Sequence, residues 1–410
     1  MKETTAEKCE NFRLKLKGGT SLKLKISMFY LAFYLGMGAF MPFMSLFLHE
    51  RGFNGGEIGL ILAVGSLTGI VAQPLFGLIN DLAKDYRTIL KLTTLLSALV
   101  SFGYFFSHGL VPILVTAVLF SFINTPTGPI IDSIAVEKGP SFGFAYGQVR
   151  LWGALGFALV TVVAGYVYSR VGYQYSYPAY AFFACLIFIL IFTFPKLERP
   201  HSGPVYGKEV LGAVFSNGPF VLFIAMTLLI SATNTMNFSY LPIYFQKLHY
   251  PMEVVGWNFT IAAVVEIPLF WYSAKVMQRI GLFPILAIGT GAYALKYCLM
   301  GFAPAVGVVL GLQALDGIAF AFYFSAAVEI VNLMAPAHAK ATAQSVFGAA
   351  GGISGIIGNL AGGLIVDHQG PQFLFWLMGA IGLLATILFF VFPNKSKYQL
   401  EKETASSQAV

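Results

Sequence analysis

Five ionisable side chains stand in stretches that are otherwise hydrocarbon: Asp132, Arg150, Glu266, Lys296 and Asp316. A charge at the centre of a membrane helix costs about 2.5–3.5 kcal/mol on insertion scales, and groups kept at that cost mark ion or substrate pathways. The chemistry open to these five is narrow. An arginine offers a planar fork of N–H donors to hydroxyls or to a carboxylate, a carboxylate accepts hydrogen bonds, and an acid short of a counter-ion can take up and return a proton. Three acids face two cations. Lys296 neutralises only one of Glu266 and Asp316, so one of these two is the natural proton-binding group. The competing interpretation is a set of static salt bridges locking helices together, but fixed pairing would leave one acid over.

Spacing sorts the five into two groups. Asp132 and Arg150 are equidistant from residue 141, and at helical rise each stands about 13 Å from that turn on neighbouring antiparallel segments. Glu266 and Lys296 are equidistant from Gly281, and Lys296 and Asp316 from residue 306. One pair thus belongs to the N-terminal half and a three-residue cluster to the C-terminal half. Glu329 lies about 220° round the helix from Asp316 and reads as a boundary residue. The six histidines (His49, His108, His201, His249, His338 and His368) fall in loops or segment ends, and Cys9, Cys185 and Cys298 lie far apart. Neither set has the spacing of a metal site or a disulfide framework.

The elements that carry these charges follow from composition. Of 410 residues 57% are apolar and 10% charged, with mean hydropathy +0.75, against about a quarter charged in an average soluble domain. A water-soluble globule cannot bury that much hydrocarbon. A bilayer core needs about 20 apolar residues per helix, and breaks at charge clusters and Gly/Pro turns give twelve spans: 26–48, 55–80, 88–107, 110–136, 143–169, 175–195, 215–246, 253–278, 283–302, 304–333, 339–366 and 371–392. The first is too long for a cleavable signal peptide and no small-residue cleavage site follows it. With the N-terminus cytoplasmic, 20 of the 25 Lys and Arg fall on that side and three, Arg51, Arg170 and Lys247, on the other. Both termini are therefore expected inside.

The most polar internal stretch, KLERPHSGPVYGKE, divides the chain six spans and six. The expected organisation is a basic cytoplasmic tail 1–25, an N-terminal bundle 26–195, a linker 196–214, a C-terminal bundle 215–392 and a tail 393–410. Pro74-Leu75-Phe76 recurs as Pro268-Leu269-Phe270, and Gly153 and Gly156 have counterparts in Gly348 and Gly351 at nearly the same offset. Two parallel six-helix repeats imply a pseudo-two-fold axis along the membrane normal and a cavity near midplane. Tyr240, Trp271 and Tyr297 are weaker candidates for lining such a cavity, most aromatics being interfacial anchors.

MGAFMPFMSLFLHE (37–50) followed by AQPLFGLINDLAKDYR (72–87) resembles the first two spans and connecting loop of the major facilitator superfamily, in its lactose permease and oligosaccharide–proton symporter branch. YGQVRLWGALGF (146–157) is similar to the fifth span of that group and of the phenylpropionate-permease and nucleoside-symporter branches. LQALDGIAFAFYF (312–324) is similar to their tenth span. The resemblance implies an all-α membrane fold of two pseudo-symmetric six-helix bundles. It also implies sugar-binding roles for Asp132 (a glutamate in the family), Arg150, Phe157 (a tryptophan there) and Glu266, which links sugar to proton, with Gln313 at a histidine position. Lys296 takes the place of an arginine and Asp316 that of the proton-carrying glutamate. Gly77, Asp81 and Arg87 fall on the cytoplasmic loop motif. Thr235 and Phe238 stand where the seventh span has aspartates; their lysine partners are missing too, so no stranded charge remains.

These features lead to an expected proton-coupled symporter of a small hydrophilic solute, with a sugar or oligosaccharide leading. An aromatic acid, a nucleoside, or sugar efflux by proton antiport stand as alternatives. A membrane enzyme would need a nucleophile–base or metal set, and no such grouping appears in the sequence. The expected partners are the solute, protons and lipid, with no cofactor beyond the coupling proton, no nucleic acid, and a monomeric chain in the cell membrane.

Overall fold

A segment inside a bilayer must satisfy its own N–H and C=O groups, which apolar runs of this length do as helices. The computed structural model describes residues 5–82, 85–196, 215–251, 253–302, 305–335 and 339–392, with side chains from Ser21 onward except those of 77, 78, 80–82, 274 and 341. The expected linker, beyond Lys196, and the tail 393–410 lie outside the described residues. Among the described residues, twelve helical segments are long and apolar enough to cross a membrane: Ser21–Glu50, Gly55–Phe76, Tyr86–Phe106, Leu110–Lys138, Tyr146–Val171, Tyr173–Ile191, Gly218–Lys247, Glu253–Ser273, Leu282–Met300, Val306–Met334, Thr342–Gln369 and Pro371–Phe390. They are the first to twelfth spans below. No strand occurs among the described residues.

Two spans are not single rods. The helix Thr5–Phe40, which takes in much of the basic N-terminal stretch, passes through a 3-10 turn at Met41–Phe43 holding Pro42 before Met44–Glu50 completes the first span. The fourth span is two helices, Leu110–Asn124 and Thr127–Lys138, interrupted at Thr125 and Pro126. Proline supplies no N–H and its ring crowds the preceding turn, which is enough to break a helix there. Pro74 and Pro268, the prolines of the internal repeat, both lie within continuous helices.

The chain divides into two compact units, Met1–Met44 with Thr68–Gly203, and Ser45–Leu67 with Pro204–Val410. In the first, the first span packs on the fifth and sixth, and the third on the fourth and sixth. In the second, the seventh packs on the eleventh and twelfth, and the ninth on the tenth and twelfth. Each of these four pairings in the first unit recurs in the second shifted by six spans, as a duplicated six-helix unit requires; the second unit also packs its eighth span on its tenth. The turns agree: Gly172, between the fifth and sixth spans, has φ 99°, and Gly370, between the eleventh and twelfth, has φ 87°, a region open to glycine because it lacks Cβ.

The repeat is not exact in its glycines. A Cβ on Gly156 would come 2.7 Å from Leu31 O, and one on Gly153 2.6 Å from Tyr34 Cδ2, so these glycines let the fifth span meet the first span's backbone at Leu31 and its side chain at Tyr34. The same position on Gly348 or Gly351 meets nothing within 4 Å among the described residues. The eleventh span makes its close approach further along, where Gly358 faces Ala232 O and Gly362 faces Tyr240 of the seventh. Small residues at such crossings give helices in lipid their van der Waals contact.

Candidate functional site

In the first unit, the fifth span presents Tyr146, Arg150, Gly153 and Phe157 at steps of four, three and four residues, the spacing of one helix face. Asp132 comes from the short helix Thr127–Lys138, and Tyr30 and Tyr34, one turn apart, from the first span. Tyr30 donates to Asp132 Oδ1 at 2.6 Å and Tyr146 to the same oxygen at 3.2 Å. The Arg150 guanidinium lies over the Tyr34 ring, 4.2 Å from its centroid, and 6.0 Å from that of Tyr30. A Cβ on Gly153 would stand 2.9 Å from Arg150 Nη1 as well as against Tyr34, so glycine there makes the room both need.

The sequence pairs Asp132 with Arg150; the structure brings both into one cluster but forms no direct ion pair between them among the described residues. Tyrosine hydroxyls take the carboxylate and a tyrosine face takes the guanidinium. Cation–π contact holds the planar cation over the Tyr34 ring. Both ions are half-buried. Phe157 is half-buried against the first span, its Cδ2 3.1 Å from where a Gly38 Cβ would lie.

In the second unit, Lys296 of the ninth span is 0% exposed and donates to Asp316 Oδ1 of the tenth at 2.5 Å. Its second contact is Asn237 Oδ1 of the seventh span, at 3.5 Å. Tyr293 and Tyr297 stack 5.7 Å apart one turn along the ninth span, the Tyr297 ring 5.5 Å from Lys296 Nζ. Glu266 enters from the eighth span beside Gly317, the neighbour of Asp316: a Cβ on Gly317 would lie 3.1 Å from Glu266 N and 2.6 Å from Ala262 O. The eighth and tenth spans therefore cross closely where their acids sit. Gln313, one turn before Asp316, is fully buried; its Nε2 donates to Val309 O at 2.9 Å and its Oε1 has no hydrogen-bond partner among the described residues.

Of the loop motif, Gly77 and Asp81 lie on the helix Gly55–Leu82 with side-chain placement outside the described residues. Arg87 opens the third span. It pairs with the N-cap residue Asp85, Nη2 to Oδ2 2.6 Å, and donates from Nη1 to Phe194 O at 3.0 Å, tying the start of the third span to the end of the sixth. Of the candidate lining aromatics, Tyr240 and Tyr297 are fully buried, whereas Trp271 is 85% exposed and encloses nothing. Sequence reasoning missed Tyr30, Tyr34, Tyr146 and Asn237. Tyr146 was within reach, since it precedes Arg150 by one turn on the same face.

A family model described as the MFS_1 like family matches residues 23–377. Among curated relatives, the chain is 24% identical to the uncharacterized transporter YwbF of Bacillus subtilis (91% of this chain, 94% of the relative). It is also 24% identical to a maltose permease of Geobacillus stearothermophilus (91% and 93%). Among solved structures it is similar to the nucleoside transporter NupG, with TM-score 0.80, 16% identity and coverage of 90% and 98%. At that identity the structural likeness speaks for the fold.

Proposed function

This chain belongs to the MFS_1 like family, a multi-pass membrane family, and from that footing we propose that it is a proton-coupled symporter of a small hydrophilic solute, with a sugar or oligosaccharide as leading cargo. The observation that carries the reading is the fully buried Lys296 held at 2.5 Å by Asp316, with Glu266 at the adjoining helix crossing. A buried ammonium depends on its counter-ion. A proton arriving on Asp316 removes that counter-ion and forces the lysine to find another acceptor, which makes protonation a structural event. Arg150 and Asp132 supply complementary donors and an acceptor for solute hydroxyls, and Phe157 an apolar face. The two units then work by alternating access, with both termini inside.

The deciding experiment uses Asp316→Asn protein in proteoliposomes. Proton-driven accumulation is expected to be lost while solute counterflow persists. Accumulation at the wild-type level would remove the coupling role.

A second reading keeps the transporter and changes the cargo. Arg150 rests on tyrosine faces rather than on a carboxylate, so its N–H fork suits a carboxylate-bearing solute such as an aromatic acid. The sequence likeness to a maltose permease supports neutral cargo instead. A thermal-shift panel of sugars, aromatic acids and nucleosides on purified protein separates these, as it does from sugar efflux once the direction of flux is measured.

A further inference from the structure

Within the second unit, the start of the second span is fastened to the eleventh by a carboxylate. Gly55 N donates to Asp367 Oδ1 at 2.6 Å and Gly56 N to Oδ2 at 2.7 Å, one oxygen each. The helix already has a local cap: Asn54 Oδ1 accepts from Glu57 N at 2.8 Å while Glu57 Oε2 accepts from Asn54 N at 3.0 Å. Asp367 satisfies the two remaining N-terminal donors from the far end of the sequence, where the positive end of the helix favours a negative charge.

Behind the carboxylate the two backbones interlock. Asn359, Gly363 and Asp367 recur every four residues on the eleventh span and meet Gly55 and Gly59, also four apart, on the second. Gly363 lies against Gly55 O and Gly59 against Asn359 O, contacts that any Cβ would block. Tyr240 of the seventh span donates to Asn359 O at 2.6 Å between them. A cavity of about 560 Å³, lined by His49, Asn54, Gln246, Lys247 and Asp367 among others, opens beside the contact. Water therefore reaches the carboxylate. The spelling Gly363-Leu364-Ile365-Val366-Asp367 repeats Gly77-Leu78-Ile79-Asn80-Asp81 from the second span's other end.

The second span passes from one compact unit to the other between Leu67 and Thr68, inside one continuous helix. Any rearrangement of the units must bend that helix or undo its tie to the eleventh span. We propose that Asp367 is a releasable clasp, holding the second, seventh and eleventh spans together at the 50–54 end and letting go once per transport cycle. The proposal rests on the transporter reading above. Because the carboxylate is exposed, the clasp biases the equilibrium by about fivefold rather than locking it.

The test uses full-length protein in detergent, with Cys9, Cys185 and Cys298 replaced by serine and Ile243→Cys, a buried cavity-lining position, as the sole thiol. Asp367→Asn is expected to speed maleimide alkylation about fivefold, with Asp367→Glu within about twofold of the parent because the charge remains. Tyr240→Phe drops the bond to Asn359 O, leaves Asp367 in place, and is expected to speed alkylation as well; it decides the matter if Asp367→Asn does not fold. Unchanged alkylation in the folded variants overturns the clasp. No solute enters this readout, so a parent protein that transports nothing yet shows the Asp367 effect counts against the transporter reading alone.

Discussion

Tyr30 of the first span holds Asp132 of the fourth through a 2.6 Å charge-assisted hydrogen bond. The acid is thereby held by tyrosine hydroxyls, while the Arg150 guanidinium lies over the Tyr34 ring.

Removing that hydroxyl releases the acid. Tyr30→Phe leaves only the longer Tyr146 bond, and Asp132 is expected to turn toward Arg150 and neutralise it. Solute affinity should fall about tenfold, a cost of about 1.4 kcal/mol, with little change in expression. Binding at wild-type strength would show that Asp132 is not restrained by Tyr30. Arg150→Ala, by contrast, should abolish uptake.

Repeat-related glycines should respond oppositely. Gly153→Ala drives a methyl into Tyr34 and Arg150, and is expected to destabilise the first unit by about 1–3 kcal/mol and abolish solute binding. Gly351→Ala meets open space and should be neutral or gain up to about 1 kcal/mol from helix propensity. Thermal unfolding in detergent, run on both, reads the contrast.

The Lys296–Asp316 pair should behave as a unit. Asp316→Leu alone strands a buried ammonium, costing about 3–5 kcal/mol. Lys296→Met combined with Asp316→Leu should recover most of that stability while proton-driven accumulation stays lost. A double variant no more stable than Asp316→Leu would mean the two residues are not energetically coupled.

Gly317→Ala tests the crossing beside Asp316. The added methyl would meet Ala262 O and Val265 Cβ, prising the eighth span from the tenth and moving Glu266 away from the pair. Uptake driven by a proton gradient should drop about tenfold or more while counterflow falls less. Equal losses in the two assays would place the defect in folding rather than coupling.

The spans and their repeat were legible because bilayer thickness sets helix length and because Pro74-Leu75-Phe76 recurs in the eighth span. Lys296 and Asp316 could be placed side by side by equal distance from one turn, since two antiparallel helices share a depth scale there; they touch. The same arithmetic set Asp132 level with Arg150 but gave no information about azimuth. It passed over the fourth span's interruption at Thr125 and Pro126, and over tyrosines from a third helix that occupy the space between the ions. Depth is a one-dimensional quantity and periodicity records it; which neighbour fills a gap depends on packing among spans far apart in the chain.

The joint at Thr125 and Pro126 stands between the Asp132 helix and any lesion upstream in the fourth span. In an unbroken rod, one inserted residue rotates everything after it by about 100°, enough to aim the acid into lipid. Here the joint, which already lacks the Pro126 N–H bond, is the cheapest place to take up such a slip. Single insertions and deletions in Leu110–Asn124 should therefore be tolerated where the same lesion in Tyr146–Val171, upstream of Arg150, is fatal, and a sequence drifting under mutation can trim the fourth span to a thinner or thicker bilayer without re-aiming its acid.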